Sequence, residues 1–152
     1  MTPDKSFFDF IREREACKLQ SYQDSAGIWT IGVGSILYED GSHVKQGDVI
    51  TQDQADKLLA GEVSKKCHSL DAALAGVNLN QNQYNALVSF TYNVGIGALL
   101  SSTLLKKVKA NPSDPTIRDS FMVWDKAHLN GQLIEVQGLK NRRKAEADLY
   151  FS

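Results

Sequence analysis

Glu15, Asp24 and Thr30 are two carboxyl groups and a hydroxyl within sixteen positions of one another. Such a set can split a bond between two sugars. One carboxyl, if burial raises its pKa, protonates the departing oxygen as a general acid. The other, in a polar setting, stays ionised and activates a water molecule, which the hydroxyl helps to orient.

Each residue also has a plainer use. At about 100° per residue, Phe7, Phe8 and Ile11 mark one side of an amino-terminal helix. Glu15 falls on that side and Glu13 on the other. Packing of the apolar side would take solvent from Glu15, whereas a helix ending before it would leave the carboxyl in water. Asp24 lies in Tyr22-Gln23-Asp24-Ser25-Ala26-Gly27, where Asp bonding its own backbone and Gly at positive φ also make an ordinary turn. Strand alternation puts Ile28, Thr30, Gly32 and Gly34 on one side, with Trp29, Ile31 and Val33 on the other. The alternate glycines read either as a bare substrate floor around one hydroxyl or as a bent strand.

The elements that must position these groups follow from turn and capping signals. Thr2 suits the N-cap of the first helix, with Pro3 at its first position and Asp4 in its first turn. Strand-like pieces follow at Leu19–Tyr22, Ile28–Val33 and Ile36–Glu39, forming one small antiparallel sheet. Thr51 with Gln54 reads as a capping box opening a helix to about Cys67, and Asn80 with Gln83 repeats the device. From there Tyr84, Leu87, Val88, Thr91 and Tyr92 run along one face up to Gly95. Further helices are expected near Ser102–Ala110 and Pro115–Ala127, and over Gly138–Phe151 with Leu139, Ala145 and Leu149 as apolar contacts. The order helix, small sheet, many helices predicts an α+β protein with a substrate cleft between a sheet-bearing and a helical lobe.

The chain has 152 residues, 42% of them apolar and 23% charged, as expected of one folded domain. Its net charge of −1 argues against a nucleic-acid coat, although residues 1–76 carry 8 basic and 12 acidic side chains and residues 77–152 carry 9 and 6. Lys140, Arg142, Arg143 and Lys144 form a basic cluster, read as a solvated helix face or as a patch drawn to an acidic envelope. His43, His68 and His128 match no metal spacing, and neither do Cys17 and Cys67, so no metal is expected and both thiols are read as free. The charged amino terminus fits neither a signal peptide nor a membrane span.

The stretch REREACKLQSYQDSAGIWTIGVGS resembles the amino-terminal signature of phage-type lysozymes, glycoside hydrolase family 24. The resemblance rests on Glu15, Asp24 nine positions on, Thr30 six beyond, and then Ile31-Gly32-Val33-Gly34. NQYNALVSFTYNVG, SSTLL and GLKNRRKAEADLY are similar to later parts of the family in the right order, so it covers nearly the whole chain. Ala16 and Ser35 depart from it, standing where the family usually has Gly and His.

The resemblance implies a lysozyme-like α+β fold in a single catalytic domain. A sheet lobe at about 16–50 and a linking helix at about 51–68 would be followed by a helical lobe at 69–152, to which the amino-terminal helix is added. No separate wall-binding domain is expected. The implied activity is a muramidase cutting the β-1,4 bond between N-acetylmuramic acid and N-acetylglucosamine, with inversion. Glu15 would be the general acid, with Asp24 activating water and Thr30 placing it; inversion expects the carboxyls about 6.5–9.5 Å apart. Ile36, Tyr92 and Thr103 are implied to contact the glycan, although Tyr92 equally belongs to an apolar helical stripe. No cofactor is implied. The expected protein is a monomer acting on peptidoglycan, without nucleic acid or stable membrane insertion. It would accumulate in the infected host's cytoplasm until a holin opens the way to the wall. A lytic transglycosylase closing a 1,6-anhydro ring, or a silent peptidoglycan-binding module, are the competing readings.

Overall fold

The computed structural model describes all 152 residues, Met1–Ser152. The chain divides into two compact units, one of residues 9–65 and one of residues 1–8 with 66–152. The boundaries fall inside two helices, α1 (Lys5–Arg14) and α2 (Gln52–Ala73).

Helix α1 begins later than its sequence suggests. Asp4, not Thr2, is the cap: its Oδ1 accepts the Phe7 N–H at 3.3 Å and the Ser6 hydroxyl at 2.6 Å. The Asn85 amide also donates to that oxygen, at 2.8 Å, so a tertiary bond adds to the local choice of cap. These donors hold the Asp4 pKa below the usual carboxylate range, Ser6 foremost.

The unit of residues 9–65 carries the first sheet, an antiparallel pair of β1 (Lys18–Gln23) and β2 (Trp29–Gly32). Ile36–Glu39 is not a strand of that sheet; it belongs to a tight loop with a single bridge, Leu37 to His43. Residues 48–50 run back along β1, where Ser21 N–H donates to Asp48 O at 2.9 Å and Ile50 N–H to Leu19 O at 2.8 Å. Ile31, Val44, Ile50, Ala55 and Leu58 form the core here, with Cys17, Trp29 and Tyr38 packed against it.

The Thr51–Gln54 box forms as read: Gln54 N–H donates to Thr51 Oγ1 at 3.2 Å and Thr51 N–H to Gln54 Oε1 at 2.8 Å. The helix outruns its expected end at Cys67. Val63, Cys67, Leu70 and Leu74 continue one buried stripe at helical spacing, and the chain turns off at Gly76 with φ 79°.

In the other unit, α3 (Gln81–Val94) opens with the Asn80–Gln83 box and stops at Gly95, φ 96°. Helices α4 (Ile96–Ser101), α5 (Thr103–Ala110) and α6 (Ile117–Met122) follow, and α7 (Gln137–Tyr150) packs on α3 and α6. Phe90 meets Phe121 and Trp124 edge-on at 5.8 and 5.7 Å, and Phe121 meets Tyr150 at 5.8 Å, the arrangement aromatic quadrupoles favour.

Two expectations fail in this unit. The helix over Pro115–Ala127 stops at Met122, and a second antiparallel hairpin follows, β3 (Lys126–Leu129) with β4 (Gln132–Glu135). Its turn is Asn130-Gly131 with φ of 52° and 78°, the positive-φ pair that a two-residue hairpin turn requires. The basic cluster is also not a solvated face. Arg142, Arg143 and Glu146 are buried, as are Ala147 and Tyr150, while Leu139, Ala145 and Leu149 are only half-buried. Glu146 explains it: its Oε1 lies 3.1 Å from Arg142 Nε, and its Oε2 lies 2.9 Å from Arg143 Nε, out of line for a hydrogen bond. The Ser89 hydroxyl donates to Glu146 at 2.8 Å and Arg143 Nη2 to Asn93 Oδ1 at 2.6 Å. A buried carboxylate with these donors can keep two guanidinium groups out of water. Only Lys140 and Lys144 remain exposed, which removes half the charge of the supposed patch.

Candidate active site

Glu15, Asp24 and Thr30 all belong to the unit of residues 9–65. Glu15 is the first residue past α1. Its N–H still bonds Ile11 O at 2.8 Å, and Ile11 is fully buried. The last helical turn therefore fixes the Glu15 backbone against the core, while its side chain is half-buried.

Asp24 makes the turn between β1 and β2. Its Oδ1 accepts N–H groups from Ala26 (2.8 Å) and Ile28 (2.9 Å), and its own N–H donates to Ile28 O at 2.9 Å. Gly27, at φ 79°, lets the chain reverse. Asp24 thus has the turn role its sequence allows, with one oxygen held by the backbone and Oδ2 left for another donor.

Thr30 is only 3% exposed, which overturns the open floor. Gly32 and Gly34 have φ of 66° and 88°, so they are bend residues, and Ile31 and Ser35 close the bend with reciprocal 2.9 Å bonds. A Cβ on Gly32 would meet Ala55 and Ile50 at 3.9 Å, so core packing and not a ligand lies against it. The Thr30 hydroxyl donates to Ile28 O at 2.9 Å, the same carbonyl that receives the Asp24 N–H. One carbonyl therefore takes both the Asp24 backbone N–H and the Thr30 hydroxyl. Glu15 precedes the other end of β1, where three residues between Lys18 and Tyr22 oppose the single Ile31 of β2. A bulge of this kind bends the strand and re-aims side chains near functional sites.

The three glycan-contact candidates are divided between the units. Ile36 is exposed in the first. In the second, Tyr92 is half-buried with the Lys66 ammonium 4.1 Å from its ring centre, while Tyr84, Leu87, Val88 and Thr91 of its stripe are buried. Thr103 is exposed at the start of α5, beside Ser102, whose hydroxyl accepts the Leu105 N–H at 3.0 Å. Cys17, half-buried, and Cys67, buried, are free thiols. Burial pushes the Cys67 pKa up.

Asp48 was not singled out by its sequence. The Tyr38 hydroxyl donates to its Oδ2 at 2.6 Å and Lys45 N–H at 2.9 Å. These bonds, Tyr38 first, lower the Asp48 pKa, while burial and then Asp48 itself push Tyr38 up to about 12. For a depressed carboxyl the stabilisation is complete above its unfolded pKa of about 3.9 and disappears as pH falls through the lower folded value. Tyr38→Phe should therefore raise the Asp48 pKa in a carboxyl NMR titration. An unmoved titration would show the hydroxyl bond to be immaterial.

Residues 12–146 match the family model described as phage lysozyme. The chain is 37% identical over 142 residues to the endolysin of Acyrthosiphon pisum secondary endosymbiont phage 1, covering 93% of this chain and 92% of that one. It is 34% identical to the endolysin of Salmonella phage P22 over the same shares of each. Among solved structures, an endolysin from Escherichia coli O157:H7 phage FAHEc1 superposes with a TM-score of 0.89 at 39% identity, covering 99% of this chain and 93% of that one. The fold is the lysozyme-like α+β class, that of a glycoside hydrolase. The chain belongs to the phage lysozyme family.

Proposed function

We propose that this chain is a peptidoglycan hydrolase of phage lysis that cuts the β-1,4 bond between N-acetylmuramic acid and N-acetylglucosamine with inversion. The observation that carries the reading is the Ile28 carbonyl shared by Asp24 and Thr30. Because the Thr30 hydroxyl spends its hydrogen on that carbonyl, its lone pairs can only accept. Asp24 Oδ2 likewise only accepts when ionised. A water lodged between two acceptors gives each a hydrogen, leaving an oxygen lone pair for the sugar C1.

In the reaction that follows, water oxygen bonds C1 while one water proton passes to Asp24. The C1–oxygen bond to the departing sugar breaks, and Glu15 supplies the proton to that oxygen. Ile36, Tyr92 and Thr103 are the proposed glycan contacts. The protein is proposed to act as a monomer, reaching the wall from the host cytoplasm through a holin-opened membrane; no helix is long and apolar enough to cross a membrane.

Digestion of purified peptidoglycan in 18O-labelled water tests the chemistry. Hydrolysis gives muramic-acid ends that carry one labelled oxygen, and early proton NMR spectra show the α-anomer. Unlabelled 1,6-anhydro ends would establish the transglycosylase instead, and a β-anomer formed first would defeat inversion.

A further inference from the structure

The unit of residues 9–65 also holds a cavity of about 400 Å³, lined by none of Glu15, Asp24 and Thr30, between the 38–40 loop and the first turns of α2. Ile50, Leu58 and Tyr38 supply apolar lining, Glu39 and Asp40 stand on the loop side, and Lys57 stands on the helix side. The loop is held in shape. Tyr38 N–H donates to Ser42 O at 2.9 Å, Gly41 N–H to Tyr38 O at 3.0 Å, and the Tyr38 hydroxyl is tied to Asp48.

The charges are arranged as a complementary pair. Asp40 Oδ1 takes the Ser42 hydroxyl at 2.6 Å and its N–H at 2.9 Å, which keeps the carboxyl well below the usual range and ionised at neutral pH. Glu39 is exposed beside it. Lys57 reaches only Asp53, at 3.2 Å across open solvent, a pairing weak enough to be exchanged for a ligand. Two carboxylates and one ammonium that line the same cavity as Ile50 and Leu58 complement a group that carries both charges on a short alkyl chain.

We propose that this cavity seats the zwitterionic end of the diamino acid in the wall's stem peptide, as found in diaminopimelate, whose terminal carbon bears an ammonium and a carboxylate. The ammonium goes to Glu39 and Asp40, the carboxylate to Lys57, and the methylenes lie over Ile50 and Leu58. The proposal rests on the peptidoglycan reading above and adds to it a preference among wall types. A lysine stem peptide has the ammonium without the neighbouring carboxylate, so it gives Lys57 nothing to hold.

The test titrates two free tripeptides, L-Ala-γ-D-Glu-meso-diaminopimelate and its L-lysine counterpart, into the 15N-labelled full chain. The first should bind with a dissociation constant of about 1 mM and move the amides of residues 38–41 and 54–58. The lysine peptide should bind about fivefold more weakly. Lys57→Met should weaken the diaminopimelate peptide about fivefold without affecting the lysine peptide, and Glu39→Gln should weaken both. Amides at 38–41 and 54–58 that stay in place, or equal losses for both peptides on Lys57→Met, would overturn the site. Wall cleavage is scored separately by turbidity. Peptide binding without cleavage keeps the site and fails the hydrolase, and cleavage without peptide binding does the reverse.

Discussion

Glu15→Gln is expected to lower the rate of peptidoglycan cleavage by about 100- to 10,000-fold, the usual contribution of a positioned general acid. The amide keeps the shape of the side chain but has no proton to give to a departing oxygen. Loss of stability should be small, because the backbone bond to Ile11 survives the substitution and the amide can still hydrogen-bond from the same half-buried place after α1. Turbidity loss of permeabilised Gram-negative cells, read beside a thermal unfolding curve, separates the two effects. Lysis within tenfold of the parent would remove Glu15 from the mechanism. A midpoint lowered by many degrees would mean that the side chain is a structural support.

The largest loss of stability should come from Glu146→Ala. The carboxylate is fully buried between Arg142 and Arg143, themselves 8% and 0% exposed, so its removal takes from both guanidinium groups the anion they share in the core of α7 and α3. Breaking such a cluster from one side costs about 3–5 kcal/mol. In a chain of this size each kcal/mol moves the midpoint by about 2–4 °C, so a fall of roughly 10 °C is expected. Calorimetry decides. A midpoint within 2 °C or so of the parent would mean that the arginines find water or other acceptors without unfolding their surroundings.

What the sequence disclosed depended on how far its signals reach along the chain. The Thr51–Gln54 and Asn80–Gln83 boxes were legible because each bond spans three residues and the pairing is written in the residue types. Asn130-Gly131 is an equally local signal, but a helix expected as far as Ala127 leaves no strand ahead of it to make a hairpin. The burial of Arg142 and Arg143 follows from Glu146 one turn on and from Ser89 and Asn93 some fifty positions away, partners that charge counting does not weigh.

The candidate site shows the same limit. The spacing of Glu15, Asp24 and Thr30 is visible in the chain, but the carbonyl that links the last two exists only once β1 and β2 pair. Alternation leaves Gly32 and Gly34 open to two readings, a floor for substrate or a bent strand, and the positive φ of both decides for the bend. Neither Asp48 nor the cavity at Tyr38 had a signature, since each depends on a loop folding back over distant residues.

The β3–β4 hairpin leaves both of its outer flanks unpaired, with Leu129, Leu133 and Ile134 turned to solvent. Four residues a side, closed by a positive-φ turn, present too few free amide and carbonyl groups to template a stack of neighbouring molecules. Lys126 and Glu135, facing each other at the open end, add charge where a visiting strand would have to start. Lengthening this hairpin with neutral residues would therefore be a direct way to make the protein clump.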